Sequence, residues 1–115
     1  MNIIIVGGGS IGVTIAEKLI YEGYRVIIIE ENKKIVHRLT NQMDALVIEG
    51  SGTDINILKS INIQNGFLFL ALTNNDNTNI IACSMAKKLS SNKITAIAKI
   101  ENSNSYFEIG RASCR

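Results

Sequence analysis

Six residues near the start of the chain have the types and spacing of a phosphate-binding loop: Gly7-Gly8-Gly9-Ser10-Ile11-Gly12, a GxGxxG sequence. Gly7 permits a tight turn out of a strand, Gly9 leaves space for a pyrophosphate against the backbone, and Gly12 lets the next helix pack closely. Phosphate oxygens accept hydrogen bonds from the free N–H groups at the start of that helix, where its dipole adds about half a positive charge. The spacing therefore predicts a site for a phosphorylated ligand.

An acidic residue, Glu30, stands at the end of a second apolar run, about 20 residues after the loop. A carboxylate there accepts hydrogen bonds from the 2′ and 3′ hydroxyls of an adenosine ribose and repels a 2′-phosphate. The pattern therefore favours NAD over NADP. Glu31 strengthens this preference, whereas Lys33 and Lys34 weaken it. The alternative is a glycine turn that starts a βα unit and binds no ligand.

Short β-branched runs that alternate with helical segments must position these residues, a pattern typical of a parallel sheet covered by helices. We predict an α/β, Rossmann-like, three-layer fold with five or six strands in the order 3-2-1-4-5. The ligand crevice then lies between the carboxyl ends of the first and fourth strands. The predicted strands are Asn2 to Val6, Arg25 to Ile29, Ala45 to Ile48, Gly66 to Leu72 and Ile94 to Ile100.

Four helices are predicted between these strands. The first begins near Ser10 and ends at Gly23, and the second runs from Asn32, its N-cap candidate, to Gln42. A short helix follows Asp54. A longer helix follows Asn74 or Asn75. The apolar stripes predicted for the first and longest helices are Ile11, Ile15, Ala16, Leu19 and Ile20, and Ile80, Ile81, Met85, Ala86 and Leu89.

The composition narrows the class of protein. A chain of 115 residues is long enough for one domain with its own core. Its net charge of +2 comes from scattered residues and only 5% of the chain is aromatic, so nucleic-acid binding gains no support. No apolar run approaches the roughly 20 residues of a membrane span, and no signal peptide is recognisable, so we expect a cytoplasmic protein. Cys83 and Cys114 are predicted to be free thiols, and no cluster predicts a metal site.

Two further loops make the pattern more specific. Glu49-Gly50-Ser51-Gly52-Thr53-Asp54 follows the third strand, and Leu72-Thr73-Asn74-Asn75-Asp76-Asn77-Thr78-Asn79 follows the fourth. Together with the glycine-rich loop and Ala98-Lys99-Ile100, they resemble the N-terminal nucleotide-binding domain of TrkA-type proteins, also called the RCK or KTN domain. The resemblance covers about the first 105 residues. It implies a regulatory domain that binds NAD, NADH or adenine nucleotides and controls a potassium channel or transporter.

The resemblance assigns roles to particular residues. The phosphate loop falls on Gly7, Gly8, Gly9, Ser10 and Ile11, and the ribose acid on Glu30. Ser51, Gly52 and Thr53 occupy the positions at the adenine edge, where the family usually begins with an acid. Thr73 and Asn74 match the loop beneath the pyrophosphate and nicotinamide ribose, and Asp76 and Asn79 complete a TNxDxxN pattern. Lys99 replaces an arginine that reaches over the phosphates, and lysine lacks the planar fork that binds phosphate bidentately.

An enzyme is the main competing hypothesis, because the same fold carries the cofactor in NAD-dependent oxidoreductases. Such an enzyme needs a proton donor or acceptor and a substrate pocket. The only histidine, His37, is expected on the solvent side of the second helix, and Tyr21, Tyr24 and Tyr106 are expected to pack or face solvent. We therefore expect no catalysis. The expected ligand is NAD or NADH, with ATP or ADP as the alternative, and a domain that the nucleotide only stabilises is a third possibility.

The resemblance also implies partners: a membrane subunit of a potassium channel or transporter, and further copies of the domain in a homodimer or larger assembly. The chain would then lie at the inner face of the membrane through its partner without spanning it. We expect residues 1–105 to form the domain and residues 106–115 to be a tail. A sixth helix could start within Glu101-Asn102-Ser103-Asn104-Ser105 and be truncated, and the last residues could come from a cloning boundary.

Overall fold

The computed structural model describes residues 2–63, 67–101 and 105–109, with the backbone alone for 105–108. Six strands and four helices follow one another along the chain. The strands are β1 (Asn2–Val6), β2 (Arg25–Glu30), β3 (Leu46–Glu49), β4 (Leu68–Ala71), β5 (Thr95–Ile100) and β6 (Ser105–Ile109). The helices are α1 (Ser10–Tyr21), α2 (Lys33–Gln42), α3 (Ile55–Ile61) and α4 (Asp76–Leu89).

The strands form a single sheet in the order β3-β2-β1-β4-β5-β6. The first five are parallel, which confirms the predicted α/β fold and the order 3-2-1-4-5. Because β1 lies at the centre, the glycine-rich loop leaves the middle of the sheet. The predicted start of the fourth strand at Gly66 lies outside the described residues.

The sixth strand differs from the sequence prediction. We predicted that a helix could begin in 101–105 and assigned no periodic structure to Ile109, whereas residues 105–109 pair antiparallel with β5. The segment contains Tyr106, Phe107 and Ile109, which are residue types common in strands. The outer edge of β5 offers unpaired backbone groups to such a segment. Pairing with that edge explains why a strand forms here.

Each face of the sheet is covered by two helices because the strands carry apolar residues on both sides. On one face, Ile3, Ile5 and Ile28 pack with residues of α1 and α2. On the other, Ile4 and Phe69 pack with residues of α3 and α4.

The predicted apolar stripes of α1 and α4 are partly wrong. Ile11 is 39% exposed, and Ile80 and Ile81 are 38% and 48% exposed. The residues of α4 that are buried against the sheet are instead Asn79, Ala82, Cys83 and Ala86. Small side chains let this helix lie close to the strands, so its larger isoleucines point away from the core.

Caps fix the starts of the helices that border the site. The Asn32 side chain accepts hydrogen bonds from the backbone N–H groups of Lys34 and Ile35, at 2.9 and 3.2 Å, which confirms the predicted cap of α2. Asn75 caps α4 by accepting from the N–H of Thr78 at 2.9 Å. Within the described ranges, none of the helices is long and apolar enough to cross a membrane.

Burial should make the Cys83 thiol unreactive. Cys83 is fully buried, and loss of solvation raises its pKa to about 12, only partly opposed by a hydrogen bond to the Ala71 backbone. Since the thiolate is the reactive form, a thiol reagent such as DTNB should not label Cys83 in the native chain at pH 8. The measurement uses the Cys114→Ser variant, so that Cys83 is the only thiol. One thiol should react after denaturation, and rapid labelling of the folded variant would contradict the burial.

Candidate functional site

A cleft of about 250 Å³ opens at the carboxyl ends of β1 to β4. Parallel strands bring their carboxyl ends to one edge, so the loops that follow β1, β2, β3 and β4 meet there. The cleft is lined by Val6, Gly7, Gly9, Ile29, Glu30, Glu31, Asn32, Ile35, Gly50, Ser51, Gly52, Leu72, Thr73, Asn74 and Thr78.

The glycine-rich loop turns sharply out of β1 and packs closely on α1. Gly7 has a φ of +109°, a conformation that side chains disfavour, and its N–H donates to the Ile29 carbonyl at 2.8 Å. A Cβ at Gly12 would collide with the Gly7 carbonyl oxygen. Glycine at position 12 is therefore required for the start of α1 to lie against the end of β1.

Gly9 lines the cleft and has open space where a side chain would lie. It is the N-cap of α1, with a φ of −76°, and a Cβ there would have no neighbour within 4 Å. Among the residues that the structure describes, no side chain caps this helix end. The first N–H groups of a helix have no partner within the helix, so those of the first turn of α1 can bind an anion. Ser10 and Ile11 begin this turn and are exposed, although they do not line the cleft.

Glu30 lies at the base of the cleft, and its two carboxylate oxygens accept hydrogen bonds from different loops. Oε1 accepts from the Gly8 N–H at 2.5 Å, and Oε2 accepts from the Asn32 N–H at 2.7 Å. Gly8 itself is buried and does not line the cleft. The Gly8 N–H is therefore hydrogen-bonded within the protein, whereas Glu30 also lines the cleft.

The loop after β3 closes one side of the cleft. The hydroxyl oxygens of Ser51 and Thr53 lie 2.8 Å apart, and the Thr53 N–H donates to the Ser51 hydroxyl at 3.1 Å. A Cβ at Gly52 would collide with the Val6 side chain. This loop therefore packs directly on β1. Ser51 and Gly52 line the cleft, and Thr53 contacts Ser51 by these hydrogen bonds without lining the cleft itself.

A buried asparagine holds the loop after β4. Asn79 is fully buried, and its Oδ1 accepts from the Thr73 N–H and hydroxyl, at 3.0 and 2.6 Å. Its Nδ2 donates to the carbonyls of Thr73 and Lys99, each at 3.0 Å. All four hydrogen-bonding positions of the amide are therefore used within the protein. Asn79 orders Thr73, which lines the cleft, and does not line it itself.

Lys99 and Asp76 lie beside this network and outside the lining of the cleft. Lys99 is buried, and its Nζ lies 2.9 Å from a carboxylate oxygen of Glu101. Asp76 accepts a hydrogen bond from the Glu101 N–H at 2.7 Å. These contacts tie the end of β5 to the start of α4. In this arrangement the ammonium of Lys99 neutralises Glu101 instead of extending over the glycine-rich loop.

The structure thus brings together seven of the fifteen predicted site residues in the lining of the cleft: Gly7, Gly9, Glu30, Ser51, Gly52, Thr73 and Asn74. The remaining eight are placed behind or beside it. Ile35 and Thr78 also line the cleft but were not predicted to do so, and Asn32 was predicted only as a cap. Ile35 and Thr78 lie in the first turns of α2 and α4, the helices that follow β2 and β4, and this position was the available signal.

The ionisable side chains that line the cleft are Glu30 and Glu31. Glu30 accepts from the Gly8 N–H, one residue before the N-cap of α1, so the cleft combines N–H donors suited to phosphate with carboxylates that accept from hydroxyl groups. Within residues 2–63, 67–101 and 105–109, no group of three or more His, Cys, Asp or Glu side chains could hold a metal ion.

The sheet order and the glycine-rich cleft define a Rossmann-type α/β domain. A family model described as the TrkA-N domain matches residues 3–113, and the chain belongs to this family. The Trk system potassium uptake protein TrkA homologs of Methanothermobacter thermautotrophicus and Pyrococcus horikoshii are 40% and 42% identical to it, over 89% and 84% of the chain. TrkA of Vibrio alginolyticus is 35% identical over 84%. The matched regions cover 46%, 42% and 21% of these relatives, so the chain spans less than half of their length.

Solved structures show the same fold at lower identity. The NAD(P)-binding domain of an exopolyphosphatase-related protein from Archaeoglobus fulgidus superposes with a TM-score of 0.70 at 18% identity, over 80% of this chain and 68% of that one. UDP-glucose 4-epimerase of Thermotoga maritima, solved with UDP-glucose, gives 0.57 at 24% identity, over 77% and 33%. At these identities the likeness concerns the fold alone.

Removing the Asn79 amide should destabilise the chain. In Asn79→Leu, of similar size, the Thr73 N–H and the Thr73 and Lys99 carbonyls lose a partner, and the free energy of unfolding should fall by about 2 to 4 kcal/mol. Asn77→Leu changes an exposed residue of the same helix and should alter it by less than about 0.5 kcal/mol. Urea denaturation of both variants measures the difference. Equal stabilities would show that the four hydrogen bonds are energetically unimportant.

Proposed function

We propose that the chain is an NAD(H)-binding regulatory domain that controls potassium transport through a membrane partner. The observation that carries this proposal is the convergence of the open α1 N-terminus at Gly9 and the carboxylate of Glu30 on one cleft. A pyrophosphate would bind the first N–H groups of α1, and the ribose hydroxyls would donate to Glu30. The names of the TrkA relatives support the assignment to potassium uptake.

A regulatory role agrees better with the cleft than catalysis does. The cleft is lined by glycines, apolar residues, neutral polar residues and two glutamates, and by none of the histidine, lysine, tyrosine or cysteine side chains of the described residues. His37 lies exposed on α2, as expected. A nucleotide can still change the protein if it binds two conformations with different affinity, and the shift is limited by that difference.

ATP or ADP is the second candidate ligand, and the extent of the cleft favours it. The lining comes from β1 to β4 and the loops and helices that follow them, and includes no residue of β5. An adenosine and its phosphates would lie against this lining, between Glu30 and the start of α1. NAD, NADH, ATP and ADP share this moiety. Glu30 disfavours the 2′-phosphate of NADP.

The partners follow from the family. We infer that the chain acts in the cytoplasm, at the inner face of the membrane, through a channel or transporter subunit, and that copies of the domain associate as a homodimer or a larger assembly. The nucleotide-binding unit is proposed to comprise residues 1–105. Binding would change the association of the domain with its copies and, through it, the membrane subunit.

Calorimetric titration of the purified chain with NADH, NAD, ATP, ADP and NADPH tests the proposal, at a single salt and magnesium concentration. Binding of NADH at least about tenfold tighter than ATP supports a regulator that responds to the redox state of the cell. Preference for ATP or ADP replaces it with a sensor of adenine nucleotides. Equal affinity for NADPH and NADH contradicts the proposed role of Glu30, and no binding of any ligand contradicts the proposed function.

The Gly9→Val substitution should greatly weaken nucleotide binding without unfolding the chain. A side chain on Gly9 enters open space in the protein, but it would fill the volume assigned to the phosphates. We expect Gly9→Val to lower the affinity for NADH by more than about tenfold and to leave the far-UV circular dichroism spectrum unchanged. The control is His37→Ala, on the exposed side of α2, which should bind as the unmodified chain does. Retained affinity in Gly9→Val would mean that phosphates bind elsewhere.

A further inference from the structure

The carboxylate of Glu30 joins two segments that are far apart in sequence. Gly8 belongs to the loop after β1 and Asn32 to the start of α2, and both donate their backbone N–H groups to this one side chain, at 2.5 and 2.7 Å. Asn32 in turn caps α2. Hydrogen bonds to a charged acceptor are stronger than those between neutral groups. The side chain therefore connects the glycine-rich loop to α2 through two strong hydrogen bonds.

The apolar face of α2 completes this contact. A Cβ at Gly8 would lie 2.7 Å from Leu39 Cδ1, 3.0 Å from Ile35 Cγ2 and 3.1 Å from Glu30 Oε1. Gly8 is thus enclosed by two side chains of α2 and by the carboxylate. Its N–H points to Glu30, which leaves the next residues, Gly9 and the first turn of α1, to face the ligand.

We propose that Glu30 is a positioning residue for the phosphate-binding loop, in addition to any contact with ribose. By fixing the Gly8 N–H, it orients the peptide groups that follow Gly8 so that the first turn of α1 presents its donors to the cleft. This proposal rests on the proposed nucleotide function for its ligand, but the contact that it concerns joins residues of the chain itself.

The two roles of Glu30 predict opposite effects on an anion that has no ribose. A carboxylate that only accepts from ribose repels inorganic pyrophosphate, so its removal should strengthen pyrophosphate binding or leave it unchanged. A carboxylate that positions the loop should weaken pyrophosphate binding when it is removed or displaced. Pyrophosphate therefore distinguishes positioning from direct contact, which ADP alone cannot do.

The test compares two variants with the unmodified chain. Glu30→Gln keeps one acceptor oxygen and places an amide NH₂ where the second N–H needs an acceptor. Glu30→Asp keeps the charge, and its shorter side chain can still accept from the Asn32 N–H two residues on but does not reach Gly8. Glu17→Gln is the control, because it removes an exposed carboxylate of α1 that does not line the cleft. Calorimetry with inorganic pyrophosphate and with ADP gives the affinities.

We expect both Glu30 variants to bind pyrophosphate at least about fivefold more weakly, and ADP more weakly still, whereas Glu17→Gln should change pyrophosphate affinity by less than about twofold. The direction of the change in pyrophosphate affinity for Glu30→Asp is decisive, because this variant keeps the negative charge. Pyrophosphate affinity that is equal or higher in Glu30→Asp and Glu30→Gln would overturn the proposal.

Amide hydrogen exchange at Gly8, followed by NMR, tests the contact without any ligand. The Gly8 N–H should be protected in the unmodified chain and in Glu17→Gln, and should exchange at least about tenfold faster in Glu30→Asp. Unchanged exchange would overturn the positioning role. If the unmodified chain binds neither ADP nor pyrophosphate, the proposed function fails, and the exchange rates still decide whether Glu30 holds the loop.

Discussion

The geometry of the site depends on one close contact between backbones, that of Gly12 in α1 with the carbonyl of Gly7 at the end of β1. Because no Cβ fits between them, the helix begins almost directly on the strand, and the loop between the two is short. This contact fixes the direction in which the first N–H groups of α1 point. The position of β1 at the centre of the sheet then places those groups between the loops that follow β2 and β4. Packing of a helix on a strand thus determines where an anion can bind.

The remaining loops are held by side chains that satisfy backbone groups at the sheet edge. Parallel strands end with N–H and C=O groups that have no strand partner, and burying such groups without a hydrogen bond is costly. Glu30 satisfies the N–H groups of Gly8 and Asn32, and Asn79 satisfies the backbone of Thr73 and one carbonyl of β5. Among the described residues, every buried side-chain nitrogen and oxygen has a partner. The same residue types that suit ligand binding therefore also hold the edge of the sheet together.

The sequence predicted the features that depend on local pattern. The strand order followed from alternating apolar runs, the turn at Gly7 from the glycine spacing, and the cap at Asn32 from its residue type. The exposure of Ile80 and Ile81 was not predictable from periodicity, because the face of α4 that meets the sheet contains small residues and one asparagine. The partners of Lys99 and Asn79 lie 2 to 20 residues away in sequence, and the longer of these pairings depend on the folded sheet. Residue propensity alone did not separate strand from helix for residues 105–109, because the strand forms by pairing with the edge of β5.

The complete hydrogen bonding of the Asn79 amide within the protein has an evolutionary consequence. All four of its hydrogen bonds end on Thr73 or on the backbone of Lys99, and none is shared with solvent. A substitution at position 79 removes the shorter of the two hydrogen bonds of the Thr73 hydroxyl, which also donates to the Asn75 carbonyl, and a substitution at position 73 removes one donor to the buried Asn79 Oδ1. Interacting groups of this kind have non-additive effects on stability, so the second change costs less once the first has occurred. Positions 73 and 79 should therefore covary among descendants of this domain, whereas exposed neighbours such as Asn77 should drift independently.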